Sequence, residues 1–212
     1  MKFSVITIFP ESLGSYLNSS MIKRAEARKL ISVHAINPRD YTDDPHKKAD
    51  DKPYGGGPGM VMKAVPIVKA VSAIKLRKGS KRKILIMSPR GKQFTQAQAK
   101  KFAKQYNEIV LIAGHYEGID ARVKKILKAE EVSVGPYTLT GGELPALLII
   151  DAVSRHIPGV LGKTESLEEG RVTSGETYTR PEVITFKGKK YRVPKVLLSG
   201  HHKNIDSYRS NG

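Results

Sequence analysis

Three glycine-bearing segments each follow an apolar run: "SPRG" (88–91), "GHYEG" (114–118) and "GPYTLTGG" (135–142). In an open α/β sheet, the loops that leave the carboxyl ends of the strands build the ligand site. One such loop is an ordinary turn, but three in consecutive strand-helix units point to one shared pocket. It is not a phosphate cradle. "HIPGVLGKT" imitates the Walker pattern, yet Ile157 occupies the place of the first glycine and the segment follows a helix, and no G-x-G-x-x-G opens a helix elsewhere. Loops of this kind hold a ligand through backbone amides and carbonyls, as an adenosine with a sulfonium or amino-acid tail requires.

Other chemistry-bearing residues are weaker signals. In "DDKPYGGGPGM" (50–60) the glycines permit close backbone approach beside Asp50 and Asp51, but no third ligand stands at a metal-binding spacing. His201 and His202 are adjacent, so they diverge on a helix, and a helix-start or interface role suits them better than metal binding. Asp151 and Arg155 lie four residues apart in an apolar helical run, the spacing of a helix ion pair. A charge on so apolar a helix needs a partner or a ligand.

These residues must be positioned by an alternating set of elements. Strands are expected at 2–9, 31–37, 83–89, 108–114 and 130–135, and helices at 21–28, 63–76, 95–106, 120–129 and from Glu143 to about Ile157. This alternation predicts a mostly parallel sheet covered on both faces. The polar segment 38–58 reads as a functional loop. The helix from Glu143 is apolar on nearly every side and should lie between two layers, one of them open to a partner subunit. Composition shifts from Pro158 to Thr177 to that of a linker, followed by a short basic tail with one helix near His201–Arg209.

Lys and Arg number 37 against 20 Asp and Glu in 212 residues, a formal charge of +17 that predicts attraction to a polyanion, nucleic acid first. The cations are scattered rather than gathered on one amphipathic face, which argues against a membrane surface. There is no cysteine, which excludes disulfides, thiol catalysis and cysteine-ligated zinc, and suits a cytoplasmic location. The N-terminal apolar run is broken by Pro10 and Glu11, too early for a signal sequence or a membrane span.

"DDKPYGGGPGMVM", "SPRGK", "LIAGHYEGIDARV", "VGPYTLTGGELPALLIIDAVSRHIPGVLGK", "YTRPE" and "VLLSGHH" resemble, in order and over almost the whole chain, the signature segments of the bacterial TrmD family of tRNA (guanine-N1)-methyltransferases. The resemblance implies an α/β fold of the SPOUT type, with a parallel sheet, a C-terminal trefoil knot and a small, abbreviated helical C-terminal domain. Its boundaries would be 1–157 for the methyltransferase domain, 158–177 for the linker and 178–212 for the tRNA-binding domain. It further implies a homodimer with active sites at the subunit interface, S-adenosylmethionine as donor, and N1 of the guanosine 3′ of the anticodon as acceptor. The family chain usually continues for further helices, so the C-terminal domain is expected to be shortened. Nothing in the sequence specifies a need for Mg2+.

Carried over by position, the resemblance places the donor at Met87, Ser88, Pro89, Gly114, Tyr116, Glu117, Val134, Gly135, Pro136, Tyr137, Thr138, Leu139, Gly141 and Gly142. It places tRNA contacts at Arg155, Lys163, Arg180 and His201, with Arg155 also catalytic. Guanine N1 carries a proton, so transfer needs a general base near N1 and positive charge near O6. Here the chain departs from the family, because Gly170 stands where the catalytic aspartate is expected. Two readings stay open: a neighbouring carboxylate replaces it, Glu169 before Glu168 and Glu176, or the chain is a catalytically silent RNA-binding relative. Pro136 also replaces an acidic residue usual beside the donor.

Overall fold

A computed structural model describes residues 1–161 and 176–210. The chain divides into two compact units, residues 1–162 and 163–212. In chain order the first contains β1 (Lys2–Ile6), α1 (Gly14–Leu17), α2 (Ser20–Ala27), β2 (Ser32–Ile36), β3 (Asp50–Asp51) and β4 (Val61–Met62). It continues with α3 (Ala64–Ser72), β5 (Arg82–Gln93), α4 (Gln96–Gln105), β6 (Glu108–Ile112), α5 (Arg122–Leu127), β7 (Glu130–Ser133) and α6 (Glu143–Ser154).

The central sheet has five strands in the order β2-β1-β6-β5-β7, and every pairing is parallel. Parallel strands are buried on both faces, which is why β6, "EIVLI", is buried at every position. Its alternation sorts the core. Ile109 and Leu111 join Phe3, Val5 and Leu85 under α2, α4 and α6, while Val110 and Ile112 join Ile6 and Ile86 under α3 and α5. Each buried Leu or Ile gives up roughly 1.5–3 kcal/mol of unfavourable hydration.

Local chemistry fixes the helix ends that matter for the site. α4 opens on a capping box: the Thr95 hydroxyl accepts from Gln98 N–H at 3.3 Å, and the Gln98 side chain accepts from Thr95 N–H at 3.0 Å. α5 closes on Lys128 in the left-handed region at φ 49°, with Ala129 N–H donating to the Lys124 carbonyl. Val160 lies inside the span read as linker, yet it is 4% exposed and belongs to the core under α6, so the chain stays with the first unit past Pro158.

The second unit contains β8 (Val183–Phe186), β9 (Lys189–Arg192), α7 (Lys195–Leu198) and α8 (His202–Ser210). β8 and β9 form an antiparallel hairpin. It was not expected from the sequence, because basic residues interrupt the apolar alternation by which a strand is recognised. Among the described residues no helix is long and apolar enough to cross a membrane.

Candidate active site

A cavity of ≈ 940 Å³ opens at the carboxyl ends of β5, β6 and β7, lined by the three glycine-bearing loops. Of the residues expected around the donor, Met87, Ser88, Pro89, Gly114, Tyr116, Glu117, Val134, Tyr137, Thr138, Leu139, Gly141 and Gly142 line it. Gly135 is buried and Pro136 exposed, and neither lines the cavity. Pro136 therefore contributes no side chain to the cavity wall.

The first loop was expected to end its strand at Pro89. Instead β5 continues to Gln93, with Val132 paired first by Met87 and again by Lys92, so residues 88–91 bulge out between two stretches of one ladder. Gly91 is needed at the return, because a Cβ there would lie 2.4 Å from the Glu131 carbonyl carbon. The third loop presses back onto the second: Gly142 N–H donates to the Gly114 carbonyl at 2.9 Å, and a Cβ on Gly142 would lie 2.5 Å from Ala113 Cα. Glycine at these two positions lets backbone pack on backbone.

Beneath the third loop, a chain of polar contacts joins distant elements. Glu143, at the start of α6 and 8% exposed, accepts from the Thr7 hydroxyl at 2.5 Å and meets His115 Nε2 at 2.7 Å. The Thr7 oxygen in turn accepts from Phe9 N–H, and the Phe9 ring stands edge-on to His115 at 4.8 Å. A side chain on Gly141 would strike both His115 and Glu143. This network ties the end of β1, the second loop and the head of α6 beside the cavity. Sequence reasoning missed His115 and Glu143, although a buried carboxylate directly after Gly-Gly at a helix start was a usable signal. It also missed Lys124, Lys125 and Lys128, which supply positive charge to one wall.

The glycine-rich segment 52–60 is the tip of the β3–β4 hairpin rather than an open loop. Its base is stitched to the second loop, with Met62 N–H donating to the Gly118 carbonyl and Glu117 N–H to the Met60 carbonyl. Asp51 forms an ion pair with Lys63 at 3.4 Å, and the Lys52 amide, then Lys63, hold its carboxyl below the usual range. Among the described residues no group of His, Asp or Glu is placed to hold a metal ion. Arg122 likewise holds Asp120 down, its guanidinium and backbone N–H both donating to that carboxylate.

Arg155 caps the carboxyl end of α6. It stands ten residues past Pro145 of the cavity wall, roughly 15 Å along the helix at 1.5 Å per residue. Asp151, one turn before Arg155 on this helix, meets Tyr16, whose phenol is pushed up by burial and then by the Asp151 charge and hydrogen bond. Leu144 and Leu148 of α6 are exposed, at 63% and 42%, so the helix is covered on all sides but one.

In the second unit Glu176 accepts a 2.5 Å hydrogen bond from the Tyr178 hydroxyl, which pushes that phenol up to about 12. Arg180 is exposed, and exposed His201 opens α8 by accepting from Ile205 N–H. Lys163, Glu168, Glu169 and Gly170 lie outside the described residues.

A parallel α/β core with a nucleoside-sized cavity, closed by glycine loops at the carboxyl edge of its sheet, defines a ligand-binding protein of the kind that presents a small molecule to a second substrate. Residues 1–212 match the family model described as tRNA (Guanine-1)-methyltransferase TrmD. The chain is 48% identical to the tRNA (guanine-N(1)-)-methyltransferase of Ruminiclostridium cellulolyticum, with 99% of this chain and 89% of the relative covered. It is 47% identical to that of Carboxydothermus hydrogenoformans (99% and 81%) and 46% to that of Trichodesmium erythraeum (99% and 91%). The chain belongs to the TrmD family.

Proposed function

We propose that this chain is an enzyme that transfers the methyl group of S-adenosylmethionine to N1 of the guanosine 3′ of the anticodon in tRNA. The full-length match to a family of that name carries the reading, and the relatives bear the same name. The cavity supports it independently. Its volume suits a nucleoside with a tail, its wall is built largely from the three glycine-bearing loops, and it has no phosphate-binding lysine loop. The residues lining it from Met87 to Gly142 would hold the donor. When bound, the sulfonium supplies an activated methyl and its own leaving group. The chain supplies orientation, exclusion of water, a base for the N1 proton and positive charge near O6.

The close approach of Gly142 to Ala113 and Gly114, and the bulge at 88–91, support a trefoil knot of the SPOUT type at these loops. In this reading residues 1–157 carry the donor site, 158–177 connect, with Val160 still seated in the core of the first unit, and 178–212 grip tRNA through Arg180 and His201, joined by Lys163 of the connecting span. The pair Leu144 and Leu148 supports a homodimer built on α6, because exposed leucines four apart on a helix form one apolar stripe. Light scattering should give twice the chain mass, and a monomer at working concentration would overturn the interfacial site. A site in the cytoplasm, where tRNA is matured, goes with the reaction.

The decisive experiment is transfer of labelled methyl from S-adenosylmethionine to unmodified tRNA with guanosine 3′ of the anticodon, beside the same tRNA with that base replaced. Label that depends on the guanosine is the expected result. No label, with donor binding intact by calorimetry, would favour the silent RNA-binding relative instead.

A further inference from the structure

The hairpin of the second unit has a composition that its own fold does not explain. β8 and β9 pair Ile184 with Tyr191 and Phe186 with Lys189, and directly opposed residues share a face. That face therefore carries Ile184, Phe186, Tyr191 and Lys189. Ile184, Phe186 and Tyr191 are 55%, 61% and 50% exposed. The other face pairs Thr185 with Lys190 and Val183 with Arg192. Lys187 and Gly188 make the turn with φ of 49° and 75°, the two left-handed residues of a tight hairpin. The Lys187 ammonium stands 5.6 Å over the Phe186 ring, and that of Lys189 stands 5.4 Å over Tyr191.

Between residues 183 and 192 there are Lys187, Lys189, Lys190 and Arg192 and no Asp or Glu. A face meant to pack on another protein would shed its lysines, since the buried core of such interfaces is depleted in them. Aromatic rings interleaved with cations instead match a strand of unpaired nucleotides, whose bases have π-faces and whose backbone is anionic. From this charge and ring pattern we infer that the β8–β9 hairpin is a stacking platform for unpaired nucleotides of the RNA substrate. Phe186 and Tyr191 take bases and the surrounding cations take phosphates. The two rings sit diagonally across the ladder, roughly 7–8 Å apart, as separate platforms rather than one stack. The inference rests on the reading of tRNA as substrate and adds where, and through which part of the RNA, it is held.

The test uses the full chain with Phe186→Ala, Tyr191→Ala and Phe186→Leu, and a variant with Lys187, Lys189, Lys190 and Arg192 changed to Gln. Affinity is measured for unmodified tRNA, for its anticodon stem-loop and for a blunt RNA duplex of equal length. Each aromatic-to-Ala change should weaken tRNA and stem-loop binding by about 5- to 150-fold and leave duplex binding unchanged. Phe186→Leu should fail like Phe186→Ala, because leucine keeps the apolar surface but has no π-face. The glutamine variant should flatten the salt dependence of binding, by about 0.7 in log-log slope per cation lost on a single strand. S-adenosylmethionine binding by calorimetry should stay at the wild-type value and report an intact first unit.

Wild-type RNA affinity in both alanine variants would overturn the platform. So would full affinity in Phe186→Leu, or loss of the dimer instead of RNA binding, which would make the face a protein contact. Because the readout is binding, it separates from the enzyme reading. A wild-type chain that binds the stem-loop through these rings but transfers no methyl leaves the platform standing and removes the methyltransferase.

Discussion

Arg155→Ala should reduce methyl transfer by about 10²–10³-fold in kcat while leaving S-adenosylmethionine binding unchanged, the scale on which one preorganised charge at a developing anion acts. As the N1 proton leaves, negative charge moves onto O6, and a guanidinium that cannot deprotonate is the group suited to meet it. Arg155→Lys should recover only part of the loss, since a point charge lacks the planar fork. The geometry adds a second expectation. Arg155 is at the far end of α6 from the cavity and is not among the residues that line it. A second copy docked on the Leu144–Leu148 stripe would bring its own Arg155 instead. Mixing Arg155→Ala with Leu139→Glu, which places a carboxylate on the cavity wall, should then restore transfer that neither variant has alone. Calorimetry and single-turnover kinetics separate the outcomes. Loss of donor affinity in Arg155→Ala, or no restoration on mixing, would place Arg155 in the same chain's donor site.

The strands that carry the cavity were legible because they are buried on both faces. "EIVLI" and "KILIM" have no polar interruption, and burial of that kind is written in composition. The loops that line the cavity were legible for the opposite reason. Where backbone must touch backbone only glycine fits, as at Gly91 and Gly142, and at Gly114 and Gly141 a Cβ would instead crowd the side chains of Ile119 and of His115 and Glu143. What stayed hidden were relations between residues far apart in the chain. Thr7 and Glu143 meet across 136 positions, and no local pattern marks them. The return of β5 through Lys92 and Gln93 was hidden because "SPRGK" has turn chemistry, and a bulge inside a paired strand uses the same residues as a turn that ends one. The β8–β9 hairpin was hidden by the cations that give it a use. Local propensity marks elements well when burial dictates sequence, and poorly when an exposed function does.

Glu169→Gln should lower kcat by about 10²–10⁴-fold, the contribution of a positioned general base. The chemistry demands a carboxylate or its equivalent at N1, and Gly170 cannot supply one, so the question is which neighbour reaches. Glu176 already accepts the Tyr178 hydroxyl at 2.5 Å. To receive the N1 proton it would have to release that partner, so Glu176→Gln should matter less, and Tyr178→Phe should leave turnover nearly unchanged. The pH profile supplies an independent readout. With a carboxylate base in place, kcat should rise as the group ionises and then level off. In Glu169→Gln that plateau should give way to a continued rise with pH, as the N1 proton is lost to solvent base instead. Placing an aspartate by Gly170→Asp in the Glu169→Gln background should restore the plateau if the two positions serve one task. Unchanged turnover in Glu169→Gln with a collapse in Glu176→Gln would move the base to Glu176. Unchanged turnover in Glu168→Gln, Glu169→Gln and Glu176→Gln alike would mean that none of these three carboxylates takes the proton and that the base lies elsewhere in the chain.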